Sequence, residues 1–171
     1  MDDMKADAPG KDEVVAEPLG KGEIEQIANI ELLFFAYRAF TGDPDRILAR
    51  FGFGRAHHRA LFFVSRRPGM TVAELIAILG ITKQSLSRVL RELIQSGHIR
   101  QIAGRADRRQ RRLYPTNAGR ELILELSRPQ SRRIADALQA CGLSDDVSVS
   151  CFMRAMIDAG DRELLAALGG E

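Results

Sequence analysis

The chain has no tryptophan, only two tyrosines and only two cysteines in 171 residues. Cys141 and Cys151 form no CxxC pair, and His57, His58 and His98 stand at no zinc-ligand spacing from them. A disulfide framework and a metal site are therefore excluded as organising features. Aromatic residues are also scarce around the arginine-rich stretch, where Tyr114 offers little stacking surface for single-stranded RNA. No apolar run approaches the ~20 residues that span a bilayer. The longest candidate, "IELLFFAYRAF", is interrupted by Glu31 and Arg38. The opening "MDDMKADAPG" is acidic and lacks the apolar stretch of a secretory signal. A cytoplasmic protein without membrane attachment is expected. Catalytic signatures are missing too: there is no nucleophile elbow, no P-loop and no paired-carboxylate motif. No enzymatic activity and no cofactor are expected.

What is present is an uneven charge. The net charge is +2, yet residues 1–31 carry −6, residues 32–54 +1, residues 55–120 +11 and residues 121–171 −4. A basic module between acidic ends is the footprint of a polyanionic partner. The arginines peak in "GRADRRQRRLYPTNAG", with five between Arg105 and Arg112 and one aspartate, Asp107, among them.

Along the chain, residues 1–22 read as a disordered acidic tail with Pro9, Gly10, Pro18, Gly20 and Gly22. Residues 23–54 read as an N-terminal helix from Glu23 to Phe40 and a connector, with "GDPDRILARFG" as a short separate helix after a turn. Ile27, Ile30, Phe34 and Tyr37 share one face of the first helix, while Leu33, Phe35 and Phe40 line others. A helix apolar nearly all round needs burial on more than one side, which a second subunit can supply. Residues 121–171 read as C-terminal helices. Pro129 is expected to kink or break the first of them. Ser144 is expected to cap one last helix bearing Val149, Phe152, Met153, Met156, Ile157, Leu164 and Leu168. Cys141 and Cys151 are expected to be buried small hydrophobes rather than reactive thiols.

The segment 55–120 carries the function. In "TVAELIAILG", Thr71 and Glu74 form a capping box and Gly80 a stop. Ile81 alone separates that stop from the next cap, Thr82. The helix "KQSLSRVLRELIQS" follows, with Leu86, Val89, Leu90, Leu93 and Ile94 as its core stripe. "HIRQIAG" and "RRLYP" then flank the arginine turn as a two-stranded hairpin. Two helices, a tight turn and a hairpin make a winged helix-turn-helix, whose second helix enters the major groove. Lys83, Gln84, Ser85, Ser87 and Arg88 lie in its first two turns. Gln pairs bidentately with adenine and Lys or Arg with guanine, while Ser suits phosphate. Thr71 is a further candidate phosphate contact. Arg105, Arg108 and Arg109 lie nearest the hairpin tip and are candidate DNA contacts. Asp107 is read as a brace, a carboxylate that accepts turn amide bonds and pairs with an arginine.

"TVAELIAILGITKQSLSRVLRELIQSGHIRQ" followed by "DRRQRRLYPTNAG" resembles the MarR family of bacterial transcription regulators. The resemblance covers roughly residues 30–165, with Asp107, Arg109, Leu113, Thr116 and Gly119 at the spacing of the family's wing signature. It points to Arg109 as the partner of Asp107. Pro115 departs from the usual leucine and is expected to shorten the second wing strand. The resemblance implies a mainly α (α+β) fold, a winged helix-turn-helix with N- and C-terminal dimerisation helices. It further implies a homodimer on a pseudo-palindromic double-stranded DNA operator, often a repressor, with a small-molecule effector. Arg38, His57 and Arg59 are candidates for an effector pocket. The other reading of His57 and His58 is structural, because adjacent helical residues point about 100° apart and cannot share a metal. A winged helix serving only protein–protein assembly is the alternative function, and the +11 of residues 55–120 speaks against it.

Overall fold

The computed structural model describes residues 17–104, 110–143 and 147–169. The tail up to residue 16, the wing tip at 105–109 and the cap at Ser144 lie outside them. The chain divides into two units, one ending at Tyr37 and one beginning at Arg38.

Helix α1 runs Ile27–Ala49 and is continuous through Pro44. The separate short helix expected from "GDPDRILARFG" is thus the last part of α1. Proline at 44 removes the N–H that would bond the Phe40 carbonyl. Gln130 Nε2 of α5 donates to that carbonyl at 3.4 Å, and Pro44 is buried. Packing and a borrowed donor thus offset the local penalty. Asp43 beside it accepts from Arg46 and, at 2.9 Å, from Arg133. Asp45 takes both a 3.0 Å and a 2.7 Å bond from Arg55.

Helix α2 (Arg55–Arg66) leads to strand β1 (Met70–Thr71), then to α3 (Val72–Leu79) and α4 (Lys83–Gln95). The helix ends follow the sequence. Thr71 Oγ1 accepts from the Glu74 N–H at 3.2 Å, and Glu74 returns a carboxylate to the Thr71 N–H at 2.7 Å. Gly80 ends α3 at φ 61°, a left-handed conformation that costs glycine little. Thr82 Oγ1 accepts from the Ser85 N–H at 3.2 Å and starts α4.

Strands β2 (Ile99–Ala103) and β3 (Arg111–Pro115) form the expected hairpin. A third strand, β1, pairs antiparallel with β3, in the order β1-β3-β2. It aligns Met70 with Leu113 and Thr71 with Arg112. Two residues give no readable alternation, so β1 is decided by the burial of both Met70 and Leu113. The β2–β3 ladder ends at Pro115 opposite Ile99, and the next N–H, of Thr116, bonds the His98 carbonyl at 3.0 Å. Leu61, Val64, Leu75, Leu86, Leu93, Ile99, Leu113 and Leu126 build one core under the sheet and helices.

Helix α5 spans Asn117–Ala140 without a break at Pro129. The single last helix is instead two, α6 (Val147–Met156) and α7 (Ala159–Ala167), interrupted at Ile157 and Asp158. Both cysteines are exposed, correcting the expectation of burial. Cys141 caps the end of α5, and Cys151 lies on α6, a helix with no buried residue in the chain. No described helix is long and apolar enough to cross a membrane.

Candidate nucleic-acid interface

The division of α4 is that of a helix half in a core. Leu86, Val89, Leu90 and Leu93 are buried and Ile94 is partly buried, while Lys83, Gln84, Ser85, Ser87 and Arg88 are exposed. The side chains of Lys83 and Gln84 have no hydrogen bond or ion pair among the described residues. Their polar ends are therefore available to an incoming ligand without breaking an internal contact.

The hydroxyls differ. Ser87 Oγ donates its hydrogen to the Lys83 carbonyl at 2.7 Å, so a phosphate contact there requires that bond to be given up. Ser85 Oγ accepts from Thr82 Oγ1 at 2.9 Å, which leaves its own hydrogen for an acceptor outside. Thr71 Oγ1 both accepts the cap bond and donates to Glu74 at 2.8 Å. Its cap role occupies it fully. The backbone and side-chain hydrogen bonds from Thr71 come first in holding the Glu74 carboxyl below its usual range. Arg67 also reaches that carboxylate, at 2.8 Å.

Arg88 is 81% exposed, and its Nε donates to Glu92 Oε1 at 3.0 Å. Sequence reasoning missed Glu92; an i, i+4 acid after a candidate reader was its one available signal. On the wing, Arg112 donates to the Gly69 carbonyl at 2.9 Å and fastens β3 to the end of the α2–β1 loop. Arg105, Asp107, Arg108 and Arg109 lie outside the described residues.

The effector candidates are placed apart in role. His57 is buried, and its ring stacks on Phe53 with centroids 4.7 Å apart. Its Nδ1 accepts from the Gly54 N–H at 3.1 Å. Arg59 is exposed on α2 and Arg38 lies on α1. Burial lowers the pKa of neighbouring His58, against the pull of Asp45. Helices α2 and α5 enclose a cleft of about 270 Å³ lined by Phe62, Ser65, Arg66, Arg120, Ile123 and Leu124. Ser65 Oγ, buried there, has no hydrogen-bond partner among the described residues.

The MarR family model matches residues 51–110, from the turn before α2 to the residue before β3. The HTH-type transcriptional regulator PetP of Rhodobacter capsulatus is 49% identical over 133 residues, 78% of this chain and 80% of that protein. Among solved structures, a MarR-family transcriptional regulator from Silicibacter pomeroyi superimposes with a TM-score of 0.64 at 20% identity. It covers 88% of this chain and 96% of its own. The transcriptional repressor CouR, solved on a 23-mer DNA duplex, gives 0.60 at 23%, over 81% and 97%. The capped helix pair, the three-stranded wing and a relative sharing half its residues over most of both chains together establish that this chain belongs to the MarR family of transcription regulators.

Proposed function

We propose that the protein is a homodimeric, sequence-specific double-stranded DNA-binding regulator in the cytoplasm, without enzymatic activity, that acts as a ligand-responsive repressor. The observation that carries this is α4: an exposed polar face of Lys83, Gln84 and Arg88 on a helix whose other face is locked in the core. It stands within a segment of charge +11. CouR, on its DNA duplex, supports the partner by fold. Residues 55–120 form the DNA-binding lobe. Helix α1 and the helices after residue 144 supply the dimer interface. A two-fold dimer requires half-sites whose centres lie about one helical turn, ~10 bp, apart. Footprinting on selected duplexes should find that pair, and a single unpaired half-site would reject the reading. For the effector, Arg38, His57 and Arg59 are the first candidates. The α2–α5 cleft, with Arg66, Arg120 and the unpartnered Ser65 hydroxyl, is the second.

Gln84 and Arg88 are assigned to bases, Lys83, Ser85 and Ser87 to bases or phosphates, and Thr71, whose one hydroxyl hydrogen goes to Glu74, to the helix cap rather than to phosphate. Gln84→Ala and Arg88→Ala should each cost about 1–3 kcal/mol on the preferred operator and relax preference at one base pair. Thr71→Ala should weaken all duplexes alike, because it removes a cap worth about 1 kcal/mol rather than a base contact. Equal losses on every operator variant for all three would refute the division of roles.

Arg105, Arg108 and Arg109 are assigned to the wing tip, where a planar fork bonds phosphate and fits a narrow minor groove. Asp107 opposes DNA by Coulomb's law, so its place there calls for a structural role. As a brace, its loss in Asp107→Ala weakens operator binding although it adds positive charge. Tighter binding in salt titrations of that variant would show it only dilutes the charge.

A further inference from the structure

A carboxylate on a DNA-reading helix weakens binding unless it does something that offsets its charge, and Glu92 is such a carboxylate. One of its oxygens accepts from Arg88 Nε at 3.0 Å. The other lies 2.6 Å from His57 Nε2. The state of that imidazole follows from its far side: Nδ1 accepts from the Gly54 N–H at 3.1 Å, so the ring proton sits on Nε2 and points at Glu92. Glu92 is therefore flanked by two donors, Arg88 and His57. Only a carboxylate, with an acceptor at both ends, satisfies both.

We propose that Glu92 is a positioning residue that aims Arg88 at a base, with His57 as its anchor. Glu92 holds Arg88 through Nε alone, which leaves the two terminal nitrogens of the fork without a hydrogen bond among the described residues. Those are the pair that bonds the guanine edge bidentately. An 81% exposed arginine otherwise samples many rotamers, and fixing it beforehand removes that entropy loss from binding. The anchor is firm because the His57 side chain is only 11% exposed and its ring lies flat on Phe53, at 6°. The same ring bonds Gly54 at the start of α2, so the aim of Arg88 on α4 is referred to the turn before α2. This inference rests on the assignment of Arg88 to a base.

The test uses the full chain and an operator obtained by selection from random duplexes. Glu92→Gln is nearly isosteric but offers one acceptor and one donor, so one of the two bonds must fail. Expected is about a tenfold loss of preference at the base pair that Arg88 reads, set by the size of one good bidentate contact. In the Arg88→Ala background the same change should move preference by less than about twofold, the signature of coupled residues. Glu92→Ala, which removes both acceptors, should lose at least as much. His57→Phe, which keeps the stack on Phe53 but not the N–H, should lose preference in part. Uniformly tighter binding to all duplexes with preference intact would overturn the proposal, since that is how a mere surface acid behaves. A second readout needs no DNA. The Arg88 Nε–H should be ordered by ¹⁵N relaxation in the free protein and mobile in Glu92→Ala. Equal mobility in both would also overturn the proposal. If Arg88→Ala leaves base preference unchanged, the assignment of Arg88 fails. The relaxation measurement then still decides whether Glu92 fixes the side chain.

Discussion

Replacing Phe34 by aspartate is expected to halve the mass seen by light scattering at micromolar concentration, and to cut operator affinity by about a hundredfold to ten-thousandfold. Phe34 is 71% exposed, and Ile30, Leu33 and Tyr37 at helical spacing on α1 are also exposed. On α6, Val147, Phe152, Met153 and Met156 are exposed as well, and the helix buries none of its residues in the chain. Monomeric proteins rarely leave such apolar faces in water, and an identical copy is the simplest cover for them. An exposed side chain contributes little to the stability of its own chain, so the substitution acts on assembly rather than folding. Its unpaired charge must be desolvated in the interface, a cost of several kcal/mol. The loss of DNA affinity follows because two linked half-site contacts become two independent ones. Phe152→Asp tests the C-terminal helices in the same way. A variant that remains dimeric and binds normally would remove α1 from the interface. A monomer that keeps full operator affinity would uncouple assembly from recognition.

Gly119→Ala is expected to destabilise the fold by about 3 kcal/mol, near the upper end of the usual cost of overpacking. A methyl on Gly119 would sit 2.0 Å from the His98 carbonyl oxygen and 3.3 Å from Leu61 Cδ1. Neither neighbour can yield cheaply. The His98 carbonyl already accepts from the Thr116 N–H at 3.0 Å, and Thr116 Oγ1 is held by Gly97 at 2.6 Å. The same hydroxyl accepts from the Gly119 N–H at 3.0 Å, so the helix start is fixed from both sides. Gly80 provides the comparison. A methyl there meets nothing within 4 Å, and the only penalty is its left-handed φ of 61°, about 1–2 kcal/mol. Thermal unfolding should therefore fall by roughly 10 °C for Gly119→Ala, taking about 2–4 °C per kcal/mol for a chain of this size, and by less, about 2–8 °C, for Gly80→Ala. The reverse order would show that α5 can slide away from β2.

Helix α4 was legible because its signals are local. Thr71 with Glu74, Gly80, and Thr82 with Ser85 define helix ends through contacts three or four residues apart. The apolar spacing of Leu86, Val89, Leu90 and Leu93 dictates which side of α4 is free. Glu92 illustrates the opposite case. Its bond to Arg88 lies within one helical turn and could be guessed, but its bond to His57 joins residues 35 apart. Nothing in spacing or composition announces that pairing. The hydroxyls of Thr71 and Ser87 were legible as polar groups on the right face, though not as groups already occupied by Glu74 and the Lys83 carbonyl.

The sequence by itself determined the capped helix pair, the hairpin, the basic stretch and the apolar excess of α1, because each is a property of neighbours along the chain or of simple sums over it. Tertiary structure alone decided the rest. Helix α1 passes through Pro44 because Gln130, far along the chain, supplies the donor that proline lacks. Strand β1 exists because Met70 and Leu113 are buried together, not because two residues prefer extension. Cys151 is exposed because α6 fully buries none of its residues among the described part of the chain. Gly119 has to be glycine because a carbonyl from another element occupies the space of its missing methyl. In each case the deciding atom belongs to an element remote in sequence, and propensity, which weighs a residue against its neighbours, has no access to it.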